Sequence, residues 1–159
     1  MKINAKILND LVTPEMLQPR TPGSAGIDLM AVNFGCEDMK ELYLYPNDCV
    51  KIGTGIAIHL DNPCNAGIII PRSGTGHNKG LILGNLIGLI DSDYQGELMI
   101  SAWNRSYDTI LIKQMDRIAQ LVIIPVIQPV FNFVDSFEEE TQRGEGGFSS
   151  SGVSILGKD

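Results

Sequence analysis

The segment Gly88-Leu-Ile-Asp-Ser-Asp-Tyr-Gln-Gly-Glu97 brings carboxylates and an aromatic ring into one short stretch of chain. An apolar run, Leu86–Ile90, leads into Asp91 and Asp93. Tyr94 follows, then Gly96, which permits a sharp backbone turn, and a second apolar run from Leu98 to Trp103. Read as a hairpin, the segment sets an acid and a ring side by side beneath a tight arch. An acid between hydrophobic strands suits a general base or a metal ligand. Taken alone, the segment is explained more simply as an acidic turn covered by a tyrosine.

Four further segments carry groups of complementary chemistry. Pro71-Arg-Ser-Gly-Thr-Gly76 follows an apolar strand and offers backbone amides, an arginine and a hydroxyl, a set suited to an oxyanion. Alone it reads as an ordinary loop. It is not a Walker loop, which needs a glycine–lysine pair and a following helix. Gly23-Ser-Ala-Gly-Ile-Asp28-Leu places one acid just inside a strand. Arg117-Ile-Ala-Gln120-Leu opens a very apolar strand. Residues at an odd offset in a strand point to opposite faces, so Arg117 and Gln120 share a site only if a bend or bulge lies between them. Arg143-Gly-Glu-Gly-Gly-Phe-Ser-Ser-Ser-Gly152 is glycine- and serine-rich, yet it carries an arginine and a phenylalanine that a spacer does not need.

The elements that must position these groups are short strands. The sequence predicts strands at Ile3–Leu8, Gly26–Ala31, Leu42–Tyr45, Cys49–Leu60, Gly67–Ile70, Leu81–Leu83, Leu86–Ile90, Leu98–Trp103, Thr109–Ile112, Arg117–Val126 and Val130–Val134, separated by turn signals. One short helix is expected at Thr13-Pro-Glu-Met16, with Thr13 as N-cap and Pro14 at the first position. The fold class is all-β: a sandwich, barrel or jelly roll. The acidic stretch Phe137–Gln142 reads as a solvated connector.

At 159 residues, 43% hydrophobic and 19% charged, the chain fits one soluble domain. No apolar run is long enough to span a bilayer and no secretory signal is visible, so a cytoplasmic location is expected. Cys36, Cys49 and Cys64 are odd in number and widely spaced, which argues against disulfides and zinc and predicts buried, inert thiols. The net charge of −7 disfavours nucleic-acid binding but allows a small anion, provided a few arginines are gathered locally. Arg72, Arg117 and Arg143 fall in separate candidate segments, and Asp28, Asp91 and Gln120 accompany them.

Together the five segments resemble, in order and over residues 25 to 152, the motifs of the trimeric dUTPase family. The third segment is highly specific, and Pro71–Arg105 is similar to bacterial members. The resemblance implies a jelly-roll-like, distorted antiparallel β-barrel (residues 1–137) assembled as a homotrimer, with a flexible arm (138–159) that closes as a lid. It implies hydrolysis of dUTP to dUMP and pyrophosphate with Mg2+, in sites completed by neighbouring subunits. Asp91 is then the water-activating base. Tyr94 packs under deoxyribose and excludes a 2′-hydroxyl. Asn85 and the Gly88–Leu89 backbone read uracil, with Met99 also in contact with substrate. Arg72, Ser73 and Gly74 contact phosphate, while Arg117 supports that site at longer range. Asp28 and Gln120 serve the metal through water. In the arm, Arg143 grips the γ-phosphate and Phe148 stacks on uracil. Ser149 stands where the family pattern has glycine, which implies slower lid closure.

Two other readings share this fold. A dCTP deaminase needs a glutamate base in place of the Asp91 and Tyr94 found here. A nucleotide-sensing protein without turnover has no need of Asp91, Ser73 and Arg143 together.

Overall fold

Alternation of apolar and polar residues sets the architecture. Among the described residues ten strands form: β1 (Asn4–Ile7), β2 (Ile27–Met30), β3 (Glu41–Leu44), β4 (Cys49–His59), β5 (Asn65–Pro71), β6 (Leu81–Leu83), β7 (Gly88–Ile90), β8 (Glu97–Asn104), β9 (Ile110–Lys113) and β10 (Arg117–Pro125). In β8 and β9 every second side chain is buried, the pattern of strands with one face on a core. The computed structural model describes residues 1–146, which divide into two compact units, Met1–Gln128 and a second that begins at Pro129.

In the first unit all strand pairings are antiparallel. They build a four-stranded sheet β1-β4-β8-β6, a second four-stranded sheet β2-β10-β5-β7 and a two-stranded sheet β3-β9. Leu29, Ile69, Leu83, Ile100, Leu44 and Ile112, drawn from all three sheets, form one buried cluster, as expected for a jelly-roll-like β fold. Asn104 is fully buried at the end of β8. Its amide donates to the carbonyls of Leu44 (2.8 Å) and Asp108 (2.7 Å) and accepts from the Ser106 N–H (2.9 Å) and hydroxyl (2.7 Å). All of its bonding capacity is used, so a buried polar group here ties β3 to the β8–β9 turn.

Several expectations are corrected. Leu86–Ile90 is not one strand: Leu86 adopts the left-handed region (φ 63°), its N–H closes a turn on the Leu83 carbonyl, and β7 begins only at Gly88. Residues 130–134 are not a strand. The loop expected after Arg72 is instead a short helix, α1 (Ser73–Lys79), closed by Gly80 in the left-handed conformation at φ 72°, whose N–H bonds the Thr75 carbonyl. A helix does therefore follow this segment, though without the lysine of a Walker loop. The expected N-terminal helix is a single 3-10 turn, Pro14–Leu17. Thr13 makes no capping bond there; its side chain hydrogen-bonds the Glu15 carboxyl and holds it below the ordinary carboxylate range. All three cysteines are exposed free thiols, because each lies in a turn or at a strand end outside the core.

Residues 129–146, described by themselves, are exposed along most of their length, including Val130, Phe131, Phe133 and Phe137. The acidic connector, as expected, lies in solvent. No helix among the described residues is long and apolar enough to cross a membrane.

Candidate functional site

At one end of the second sheet, three neighbouring strands converge on a single acid. Asp28 of β2 pairs with Gln120 of β10, which in turn pairs with Ile70 of β5. Arg72 leaves the end of β5 and reaches across β10. Its Nε donates to Asp28 Oδ1 at 2.7 Å, and another guanidinium nitrogen meets the Arg117 carbonyl at 3.3 Å. Arg117 Nε lies 3.6 Å from Asp28 Oδ2. The Asp28 side chain is only 12% exposed, and Oδ2 is buried without a hydrogen-bond partner.

Arg117 and Gln120 share this face because the β2–β10 ladder shifts register between Arg117 and Ala119. Arg117 pairs with Met30 and Gln120 with Asp28, two positions on the same side of β2. The required bulge is present. It also lets the adjacent Ile118 enter the core, where it is buried. Gly26 has a steric cause: a Cβ there would stand 2.5 Å from Gln120 Oε1. The Gln120 amide also donates to the Pro71 carbonyl at 3.0 Å. Ser73 and Gly74 are exposed in the first turn of α1, beside Arg72.

Asp91 and Tyr94 lie elsewhere. The segment expected to be a hairpin is not one, because β7 pairs with β5 in one sheet and β8 with β4 and β6 in the other. Residues 81–104 pass from the first sheet to the second and back, and Asp91–Gly96 is the return crossing. Asp91 is exposed and lines a cavity of about 590 Å³ with His59, Asp61, Asn65 and Ala66. The Tyr94 hydroxyl donates to the Glu97 carbonyl at 3.0 Å, and its ring lies against Gly96, where a Cβ would sit 2.6 Å from Cζ. Tyr94 remains 43% exposed. Asp93 is an exposed turn residue.

The outward crossing, Gly84–Ile87, forms the arch. The Gly84 N–H donates to the Ser101 carbonyl (2.8 Å) and the Ile87 N–H to the Asn85 carbonyl (2.7 Å). The Asn85 amide nitrogen faces Gly88, 3.7 Å from where its Cβ would be. Leu86 and Ile87 in this turn, Leu89 in β7 and Met99 in β8 are exposed apolar residues.

Within one chain the two groups do not meet. Ile90 pairs with Gly67, which puts Asp91 at the Ala66 end of β5, whereas Arg72 follows Pro71 at the other end. Extended backbone rises roughly 3.3 Å per residue, so the separation is about 20 Å. In the second unit Arg143 sits in an exposed turn, its Nε donating to the Gly146 carbonyl at 2.8 Å. Phe148 and Ser149 lie outside the described residues. Sequence reasoning missed Glu97 as a bracing group; its Oε1 accepts the Gly55 N–H at 2.8 Å. The only hint was its place at the end of the turn segment.

The fold and its side chains define an all-β protein that sets two arginines around a buried acid and, on a separate surface, an acid and a ring beside an apolar arch. The sequence model of the dUTPase family matches residues 13–152. A deoxyuridine 5′-triphosphate nucleotidohydrolase of Paraburkholderia phymatum is 52% identical over 152 residues, covering 96% of this chain and 99% of its own. Its counterpart in Hydrogenovibrio crunogenus is 49% identical over 154 residues, covering 96% and 97%. Among solved structures, a Staphylococcus bacteriophage 80alpha dUTPase variant with dUpNHpp matches with a TM-score of 0.77 at 26% identity, covering 96% of this chain and 99% of that one. The chain belongs to the dUTPase family.

Proposed function

We propose that this protein hydrolyses dUTP to dUMP and pyrophosphate, in sites that a homotrimer completes from different subunits. The observation that carries the shared site is the separation of Asp91 from Arg72 by about 20 Å of strand. An acid that activates water and an arginine that binds phosphate must both reach one triphosphate. In a single chain these two do not, so another copy supplies the missing half. The exposed apolar side chains of Leu86, Ile87 and Leu89 on the first unit, and of Val130, Phe131 and Phe133 on the second, support assembly.

In this reading Asp91 takes a proton from water as it attacks the α-phosphorus in line, and pyrophosphate departs. Asn85 and the Gly88–Leu89 backbone read uracil inside the arch, with Met99 against the nucleoside. A site built to hydrogen-bond one base leaves polar groups unpaired with another, and that penalty is the source of selectivity. Tyr94 occupies the space a ribose 2′-hydroxyl needs. Arg72, Ser73 and Gly74 bind phosphate oxygens, and Arg143, with Phe148 and Ser149 beyond it, closes over the nucleotide.

Magnesium, when bound, neutralises charge across the triphosphate. The residues present fit it only through water. Both Asp28 oxygens face guanidinium groups, and among the described residues no cluster of three His, Cys, Asp or Glu side chains is arranged for a metal. The buried Asp28 Oδ2, lacking a hydrogen-bond partner, can accept from a metal-held water, with the Gln120 amide beside it. A cytoplasmic setting accords with three exposed thiols that remain unpaired.

The test offers dUTP, dCTP, dTTP and UTP with magnesium and follows pyrophosphate and nucleoside products. Pyrophosphate release from dUTP alone is expected. Deamination of dCTP, or no turnover of any nucleotide, overturns the reading.

A further inference from the structure

We propose that Glu97 is a positioning residue for Tyr94, a strut that fixes the sugar-facing ring to the bulged centre of β4. The inference rests on the reading of Tyr94 as the group that meets the sugar. Glu97 is tied at both ends. Its main-chain carbonyl accepts the Tyr94 hydroxyl at 3.0 Å, and its carboxylate accepts the Gly55 N–H at 2.8 Å. Gly55 stands where the β4–β8 ladder breaks register between Gly53 and Ala57, in the left-handed conformation at φ 71°. Its carbonyl accepts the Leu8 N–H at 2.8 Å, so the bulge is itself anchored to the end of β1.

Glycines make room on both sides. A Cβ on Gly53 would lie 2.5 Å from Glu97 Oε1 and 3.0 Å from its Cδ, so the carboxylate occupies space that a side chain at residue 53 would contest. A Cβ on Gly96 would lie 2.6 Å from Tyr94 Cζ, so the ring likewise lies where a side chain at residue 96 would collide with it. One residue on, Thr54 Oγ1 donates to the Leu98 carbonyl at 2.8 Å and ties the same two strands again. A hydroxyl bound to a main-chain carbonyl is held only as firmly as that peptide. Anchoring the side chain of the same residue to a neighbouring strand restrains the peptide and hence the ring. Releasing the carboxylate lets the ring shift toward solvent, where it is already partly exposed, and opens space for a 2′-hydroxyl.

The readout is the ratio of kcat/KM for dUTP to that for UTP, measured beside the melting temperature. Glu97→Met keeps length but removes the acceptor, and Glu97→Gln keeps an acceptor oxygen. Gly53→Ala displaces the carboxylate from the other side and serves where Glu97→Met fails to fold. Glu97→Met and Gly53→Ala are expected to lower the ratio about tenfold, the worth of one hydrogen bond. Glu97→Gln should retain it. Tyr94→Phe should lower the ratio too, and adding Glu97→Met to it should change nothing further. A lowered melting temperature with an unaltered ratio, or effects that multiply in the double variant, overturns the strut. If Tyr94→Ala leaves the ratio of the otherwise native protein unchanged, the reading of Tyr94 has failed, and the strut falls with it by a distinguishable route.

Discussion

Replacing Asp28 by asparagine tests the arginine-ringed acid while keeping its shape. The carboxylate accepts from Arg72 Nε at 2.7 Å and stands 3.6 Å from Arg117 Nε. A hydrogen bond between charged groups contributes about 1.5–3 kcal/mol, and the amide oxygen retains about 1 kcal/mol of it. The Arg117 side chain is 42% exposed, so its ion pair is screened and is worth about 0.5 kcal/mol. The amide NH2 must then face the Arg117 guanidinium, donor against donor. The expected loss is about 2 kcal/mol, which lowers the melting temperature by about 4–8 °C in a chain of this size. If phosphate binding uses the same arginine placement, kcat/KM for dUTP falls about 30-fold, the kinetic equivalent of that energy. Calorimetry at matched protein concentration and a continuous pyrophosphate assay with magnesium measure the two. A melting temperature within about 1 °C of native together with unaltered kcat/KM would refute the reasoning.

Three other expectations follow from the same geometry. Asp91→Asn should keep dUTP affinity by calorimetric titration while kcat falls about 10²–10⁴-fold, the range for removal of a general base; undiminished turnover removes Asp91 from that role. Asn104→Asp strands the Leu44 and Asp108 carbonyls without donors, each at a cost of about 1–3 kcal/mol, so the urea midpoint should drop sharply; an unchanged midpoint contradicts the bonding described. Deleting residues 143–159 should cripple hydrolysis without changing the number of subunits found by light scattering, and dissociation would show that the arm holds subunits together instead of closing over nucleotide.

The sequence discloses its strands because β-branched and alternating residues answer to a local rule, and ten of the expected strands form within a residue or two of their predicted ends, β7 among them though shortened. The need for a bulge between Arg117 and Gln120 was legible from parity alone. Partnering was not. A turn of Asp91–Gly96 between two apolar runs has the local look of a hairpin, and only the long-range pairing of β7 with β5 sends the runs to different sheets. The α1 helix was hidden by its Ser-Gly-Thr-Gly composition, which disfavours helix locally. Tertiary bonds help to stabilise it: the Arg105 N–H donates to the Gly80 carbonyl at 3.0 Å, while Gly76 is buried in the packing. The exposure of the three thiols likewise depends on where turns fall, which residue type does not report.

The path of residues 81–104 from one sheet to the other and back has a kinetic consequence. β6 must wait for β8, and β7 for β5, before the two crossings have fixed ends. Pairings so arranged are non-local and slow to form. The arch and the Asp91–Tyr94 turn therefore have both of their ends fixed only once those pairings are made. In a refolding experiment, turnover is expected to return only after these pairings form and subunits assemble, so its recovery should slow as the protein is diluted.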